Sequence, residues 1–567
     1  MRIRRALALA VLTAGLAVLL DDFSAADAAQ PPTKAELKAK RKAMLEAKRA
    51  AEAAKAAEEA KAAEAPKPAP APFVAGPAKD PAPLIRLIDS HIGQKLTTAN
   101  IPPSPLCTDE EFLRRAYLDL TGVVPTAEKA KSFLDSTDPK KRAKLIDELL
   151  ADPNFGKRQA DVWYGLLIQR TSDNRRIDFG ATRDWLAAQF NAGKPWSMIV
   201  SELVTASGTL ESNPAVGFYL SNNVVDKMTD ACGKLFMGQQ IQCAQCHNHP
   251  FTKTKQTEYW ELAAFFMKTQ VGNTKAKGAD PAVNEVSGTP KRGKNAALPE
   301  AAKLLPPKFP GGSVPKVTST EPVRPVLAKW LTAQSNPYFA KAMVNRTWFQ
   351  LFGRGFVNPV DDMSPENEPT HPQLLDALAK EFADSGYDLK HLVRGVCNSQ
   401  AYQRSSKATL QNKNDHELFS HMHVKVMTPE QLFDSLATVT RTNVNGKTER
   451  TKNGIVQPAA RERFINFFLA GADAANPTEY EAGIPQALRL MNSAATGGPN
   501  ALRSVVTPGM KPEEAVTAIY VTALARRPTA DEMKLLTGYV SKNGAAPGTY
   551  GDILWAVLNS SEFTLVR

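Results

Sequence analysis

The feature that most constrains the fold is an interruption. Residues 271–320 carry Gly278, Pro281, Gly288, Pro290, Pro306, Pro307, Gly311 and Gly312, which break helix and strand alike, between two long blocks patterned for helix. In the first block, residues 84–270, Thr108-Asp-Glu-Glu111 reads as a capping box, with the threonine hydroxyl and the glutamate carboxylate each satisfying an amide at a helix start. Phe112, Ala116, Tyr117 and Leu120 then share one helical face, and Gly122 supplies the stop. Leu145, Leu149 and Leu150 repeat the pattern, as do Trp163, Leu166 and Leu167. The second block, residues 321–567, has Ala340, Val344, Trp348 and Leu351 on one face, and Leu374, Leu378 and Phe382 on another before Gly386. Two further capping boxes begin at Thr428 and Thr529. Strand-like alternation is scarce. The expectation is a mainly α chain of two helical domains joined by a Gly/Pro-rich linker, with one short turn near Phe309.

Charge has to be located before its sign means anything. The chain of 567 residues carries a formal +12, which invites a nucleic-acid partner. Residues 29–82 hold 11 basic against 7 acidic side chains (+4), and residues 271–320 hold 8 against 3 (+5). Nine of the twelve charges thus lie in a tail and a linker, so a folded nucleic-acid platform is not expected. Five cysteines in such a length cannot build a disulfide framework and matter only where they cluster.

The first 28 residues have the pattern of a cleavable signal peptide: Arg2, Arg4 and Arg5, an apolar run over residues 6–20, and Ala26-Asp-Ala28 as a small-residue cleavage site. The apolar run is shorter than the ~20 residues a spanning helix needs. The mature protein is expected to be soluble and outside the cytoplasm. Residues 29–83 form an Ala/Lys/Glu-rich helical segment followed by a Pro-rich spacer, together a tether whose modest positive charge suits contact with an anionic envelope surface.

One motif carries chemistry. Cys243-Ala-Gln-Cys-His247 has the spacing of c-type haem attachment, in which two thiols three positions apart reach the two vinyl groups of one porphyrin and the next histidine meets the iron. Three other arrangements fit the same residues: a Cys243–Cys246 disulfide, a zinc site made by Cys243, Cys246, His247 and His249, or inert buried cysteines. If haem c is the cofactor, His247 is the proximal ligand. His249 is too close along the chain to reach the opposite face, which leaves Met267 or Met237 as distal candidates. Tyr259, Leu262, Ala263 and Phe266 form an apolar stripe after the motif, the pattern of a core helix or of a wall beside a prosthetic group. His416, His421 and His423 form a second cluster, read as solvated or capping rather than ligating. No G-x-S-x-G, H-E-x-x-H or Walker-type loop is present.

Several segments together resemble a known family. Phe112-Leu-Arg-Arg-Ala-Tyr-Leu-Asp-Leu-Thr-Gly122, Cys243-Ala-Gln-Cys-His-Asn-His-Pro-Phe251 with Leu262-Ala-Ala-Phe-Phe266, and Asn345-Arg-Thr-Trp-Phe-Gln-Leu-Phe-Gly-Arg-Gly355 resemble the exported planctomycete paralogues. Those pair a cytochrome-type N-terminal domain with a C-terminal domain of unknown function. Pro359-Val-Asp-Asp362, Gln486-Ala-Leu-Arg-Leu-Met-Asn-Ser493 and Leu558-Asn-Ser-Ser-Glu-Phe563 look like later landmarks of the same family. The resemblance implies an exported protein accompanied by cytochrome-like partners, and it carries over no catalytic residues. The family usually has an acid between the two histidines and another after the phenylalanine, where this chain has Asn248 and Thr252.

The sequence therefore sets up an exported protein with haem c held by Cys243, Cys246 and His247, serving electron transfer with a cytochrome-like redox partner. Its rivals are a zinc protein of structural or hydrolytic type and a tethered envelope scaffold in which the two cysteines form a disulfide.

Overall fold

The computed structural model describes residues 73, 76–169, 177–250, 252–274, 280–286, 305–318, 320–441, 449–450, 456–457, 459–469, 483–492, 502–503 and 505–567. The expected signal peptide, nearly all of the tether and residues 275–279 and 287–304 of the linker lie outside them. Residues 73–567 form one compact unit. It is mainly helical, and among the described residues no helix is long and apolar enough to cross a membrane.

The helix Asp109–Thr121 is the axis of the unit. Every residue from Phe112 to Thr121 is buried, so the helix is wrapped on all sides rather than laid on a surface. Its start is half a capping box. Thr108 Oγ1 accepts from Glu111 N–H, but the Glu111 carboxylate turns away from the Thr108 amide to bind Arg115, Ser405 and Ser406. Long-range partners in the second block thus outcompete the local arm. The boxes at Thr428 and Thr529 have both arms. Gly122 ends the axial helix at φ 74°, a left-handed value that a side chain would strain.

The two helical blocks share a core. Leu84, Ile88, Ile92 and Leu96 form one stripe of the helix Ala82–Ala99, and they belong to the same apolar cluster as Leu378, Val396 and Val521. Trp163 packs on Trp196 at 4.2 Å, and Trp196 in turn stacks with Phe339 from the second block. A second cluster, built from residues 427–566, receives Leu118 and Val124 from the axial helix and the turn after it.

The adjacent arginines of the axial helix join it to segments of the second block. Arg114 donates to the carbonyls of Ala523 and Phe563, and Arg115 donates to those of Tyr402, Arg404 and Arg567. Each such charge-assisted bond contributes about 1.5–3 kcal/mol relative to its loss. The C-terminal strand Leu565–Val566 then pairs antiparallel with Lys425–Val426.

The described parts of the linker are packed rather than merely spanning. Residues Val283–Glu285 form a strand antiparallel to Thr269–Val271, where a strand-breaking run was expected. Glu285 accepts from the buried Arg324 guanidinium and from the Val323 and Arg324 amides, which gives this strand an anchor that composition does not reveal. The expected turn near Phe309 is present, closed by Gly312 N–H to the Phe309 carbonyl. Its phenyl ring stacks between Phe265 at 5.3 Å and Trp330 at 4.9 Å, one from each block.

Candidate functional site

The cysteine motif sits on a short loop fixed at its root. The helix Val225–Cys232 passes into a wider turn, Gly233–Met237, which ends at Gly238 with φ 65°. A Cβ on Gly238 would lie 3.0 Å from Met363 Sδ, a tight contact that the methionine would have to relieve, on top of the strain of the left-handed φ. Met363 N–H donates to the Gly238 carbonyl, Gln239 Nε2 to the Met363 carbonyl, and Gln240 Nε2 to Asp361 Oδ1 at 2.9 Å. Asp361 of the Pro359-Val-Asp-Asp362 landmark and Met363 just after it therefore hold the loop root.

Beyond that root, one turn of 3-10 helix, Gln242–Gln245, buries Ala244 and turns both cysteines outward. Cys243 and Cys246 are exposed free thiols, whereas Cys107, Cys232 and Cys397 are buried. Two side chains from the next helix, Gln256–Ala263, fasten the far end. Trp260 Nε1 donates to the Gln245 carbonyl at 3.1 Å, and Gln256 Nε2 to the Cys246 carbonyl at 2.8 Å. The stripe expected there is confirmed as core: Tyr259, Leu262, Ala263 and Phe266 are all buried.

The two histidines of the loop are oriented by different contacts. His247 Nδ1 lies 2.7 Å from the Asn248 carbonyl, which can only accept, so this contact is made by a proton on Nδ1. His249 Nδ1 instead accepts from Thr252 N–H at 3.0 Å, which places its proton on Nε2. The ring of His247 is thus oriented through Nδ1 with Nε2 directed away from that contact, and the ring of His249 is oriented by the Thr252 amide. Asn248 also has work of its own, since its Oδ1 accepts from Gln256 N–H at the start of the helix. A carboxylate in that position would make the same bond, so the substitution changes the charge and leaves the contact.

Among the described residues no three His, Cys, Asp or Glu side chains converge as a metal site. Two exposed thiols beside a histidine oriented through Nδ1 fit covalent haem attachment. Of the distal candidates, Met237 is inside the core at 1% exposure, while Met267 is partly buried against the core after the helix Gln256–Ala263. Beneath the loop, Tyr259 Oη donates to Asp230 Oδ1 at 3.2 Å. Burial pushes the Asp230 carboxyl up to about 6, against a lowering from the tyrosine bond.

A second place gathers polar groups that were not expected together. A cavity of about 730 Å³ between the blocks is lined by Asp119, Arg158, Gln350, Arg354, His416, His421, His423 and Lys425. Of the three histidines read as solvated or capping, His416 is exposed, whereas His421 and His423 are partly buried. Asp415 draws in the amides of residues 417, 418 and 420, and Phe419 is packed among Trp348, Phe352 and Phe356, so the chain carries the later histidines inward. Burial pushes His423 down to about 4, so it is neutral at pH 7. Sequence reasoning did not find Asp119, Arg158 or Lys425. The one available signal was an aspartate amid the buried positions of the axial helix.

Residues 87–271 match the family model PSCyt2, protein of unknown function (DUF1549), and residues 323–476 match PSD1, protein of unknown function (DUF1553). Comparison with the curated proteins and with the solved structures returns no match.

Proposed function

The chain belongs to the planctomycete family that pairs these two domains of unknown function, and on that premise we propose that it is an exported c-type haem protein serving electron transfer. The observation that carries the reading is the state of the loop: two free exposed thiols and, beside them, a histidine whose Nδ1 is fixed on a backbone carbonyl. Cys243 and Cys246 would hold the group through thioethers, and His247 would bind its iron through Nε2. When bound, the group supplies a one-electron couple.

The remaining residues position these three. Trp260 and Gln256 hold the carbonyls of the motif, and Gln240 with Asp361 anchors its root, so the second block sets the orientation of a loop in the first. Exposure of all three donors suits exchange of electrons with a cytochrome-like partner docking over the loop. The tail, residues 29–83, would keep the unit near an anionic envelope surface.

The test is expression with its signal peptide in a host that matures c-type cytochromes. The purified protein should be red, with a Soret band that persists in denaturant because the link is covalent, and Cys243→Ser with Cys246→Ser should abolish that band. A colourless product holding stoichiometric zinc, or one whose two cysteines are oxidised to a disulfide, contradicts the proposal.

A further inference from the structure

The cavity between the blocks has a surplus of hydrogen-bond donors. Its acids are already matched. Asp119 accepts from Lys425 Nζ and from Tyr402 Oη, Asp161 takes a two-pronged contact from Arg461, and Glu430 is engaged as well. Two of its three cations are matched too. All three donors of Lys425 are used, on Asp119 and on the carbonyls of Gln350 and Leu351, and Arg354 is paired with Glu417 at 2.7 Å. Arg158 differs. Its guanidinium has five N–H donors, yet among the described residues it makes one hydrogen bond, from Nη1 to Thr428 Oγ1 at 3.3 Å, and no ion pair, the charges of Glu430, Asp119, Asp161 and Asp434 acting on it from further away.

We propose that this cavity is a binding site for a small organic anion, with the fork of Arg158 on the anionic group and Val162, Phe349 and Val566 against the apolar part. An arginine fork matches a two-oxygen face, which a carboxylate, a phosphate ester and a sulfate ester all present. The volume is that of a site for a drug-sized molecule rather than for a bare inorganic ion, which would leave most of it to water. Nearby, Gln350 Nε2 and Arg354 Nε are buried without partners, so donor capacity remains where a ligand's oxygens would arrive. The site stands independently of haem, because none of its lining residues belongs to the cysteine loop.

Calorimetric titration of the intact mature protein with benzoate, phenyl phosphate, phenyl sulfate and neutral phenol tests the proposal. At least one anion should bind saturably, with phenol weaker by about tenfold or more, the value of a charge-assisted bond. The order among the three anions identifies the head group. Arg158→Gln should weaken the anion by about tenfold or more, and Arg158→Lys, which keeps the charge and loses the fork, should fall between. Val162→Trp leaves Arg158 in place and fills part of the cavity, so it should also weaken binding, even where Arg158→Gln fails to fold. Absence of saturable binding, equal affinity for phenol, unchanged binding in Val162→Trp, or saturation by zinc alone would each overturn it.

Discussion

The ammonium of Lys425 lies 2.6 Å from Asp119 Oδ1, across 306 residues of sequence, with the carboxylate side chain 2% exposed. This pair joins the axial helix of the first block to the strand that receives the C-terminus. Removing one member leaves the other charge buried and uncompensated, at a cost of about 3–5 kcal/mol. Asp119→Ala should lower stability by that amount in urea unfolding. The double variant Asp119→Leu with Lys425→Met should be less destabilised than the sum of the two single variants, because it removes both charges. Additive losses would show that the pair is not coupled.

Because the blocks share one apolar cluster, the first block should not fold alone. Residues 84–270 expressed without the remainder expose Trp196 and Arg115, whose partners Phe339 and Tyr402 are in the second block. The fragment is expected to give no sharp thermal transition and to bind a hydrophobic dye, whereas residues 73–567 should melt cooperatively. A cooperative melt of the isolated fragment would show that the shared core is dispensable.

The cysteine loop rests on a group that titrates near neutrality. Burial raises the Asp230 carboxyl from its ordinary value near 4 to about 6, so the folded form holds its proton more tightly than the unfolded form does. The stability this contributes is present below pH 4 and is lost as pH rises through 6. Asp230→Asn keeps an acceptor for Tyr259 and carries no charge. It should therefore stabilise the protein at pH 7 by about 1–2 kcal/mol and flatten the pH 4–6 limb of a stability profile. An unchanged limb would place the titration elsewhere.

His371 predicts the opposite slope. Burial pushes its imidazole down to about 4, so below pH 6.5 the unfolded chain takes up a proton that the folded chain refuses. Stability should fall as pH drops from about 6.5 to about 4, by an amount of order 2–3 kcal/mol for this residue. His371→Gln should remove that part of the acid loss, as read by unfolding at pH 7 and pH 4.5. Equal losses in both proteins would refute the assignment.

The local grammar of the chain was legible where it is local. Gly122 ends its helix in a left-handed conformation, and Thr428 and Thr529 cap as their spacing implies, because each depends on atoms within four residues. Glu111 shows the limit: its carboxylate serves residues 405 and 406, and no four-residue window reports that competition. The cysteine motif was visible as spacing, but the contacts that orient the His247 and His249 rings depend on backbone atoms that only the folded loop positions. Arg158 was invisible for the same reason, since what distinguishes it is that no carboxylate among the described residues is within ion-pair distance of it in three dimensions.

Intact-mass measurement of the native exported protein bears most directly on the central claim. A mass equal to the polypeptide from residue 29 plus one haem is the expected result, reporting signal removal and thioether formation together. A mature chain that weighs no more than its amino acids would contradict the assignment of Cys243, Cys246 and His247 as a haem site.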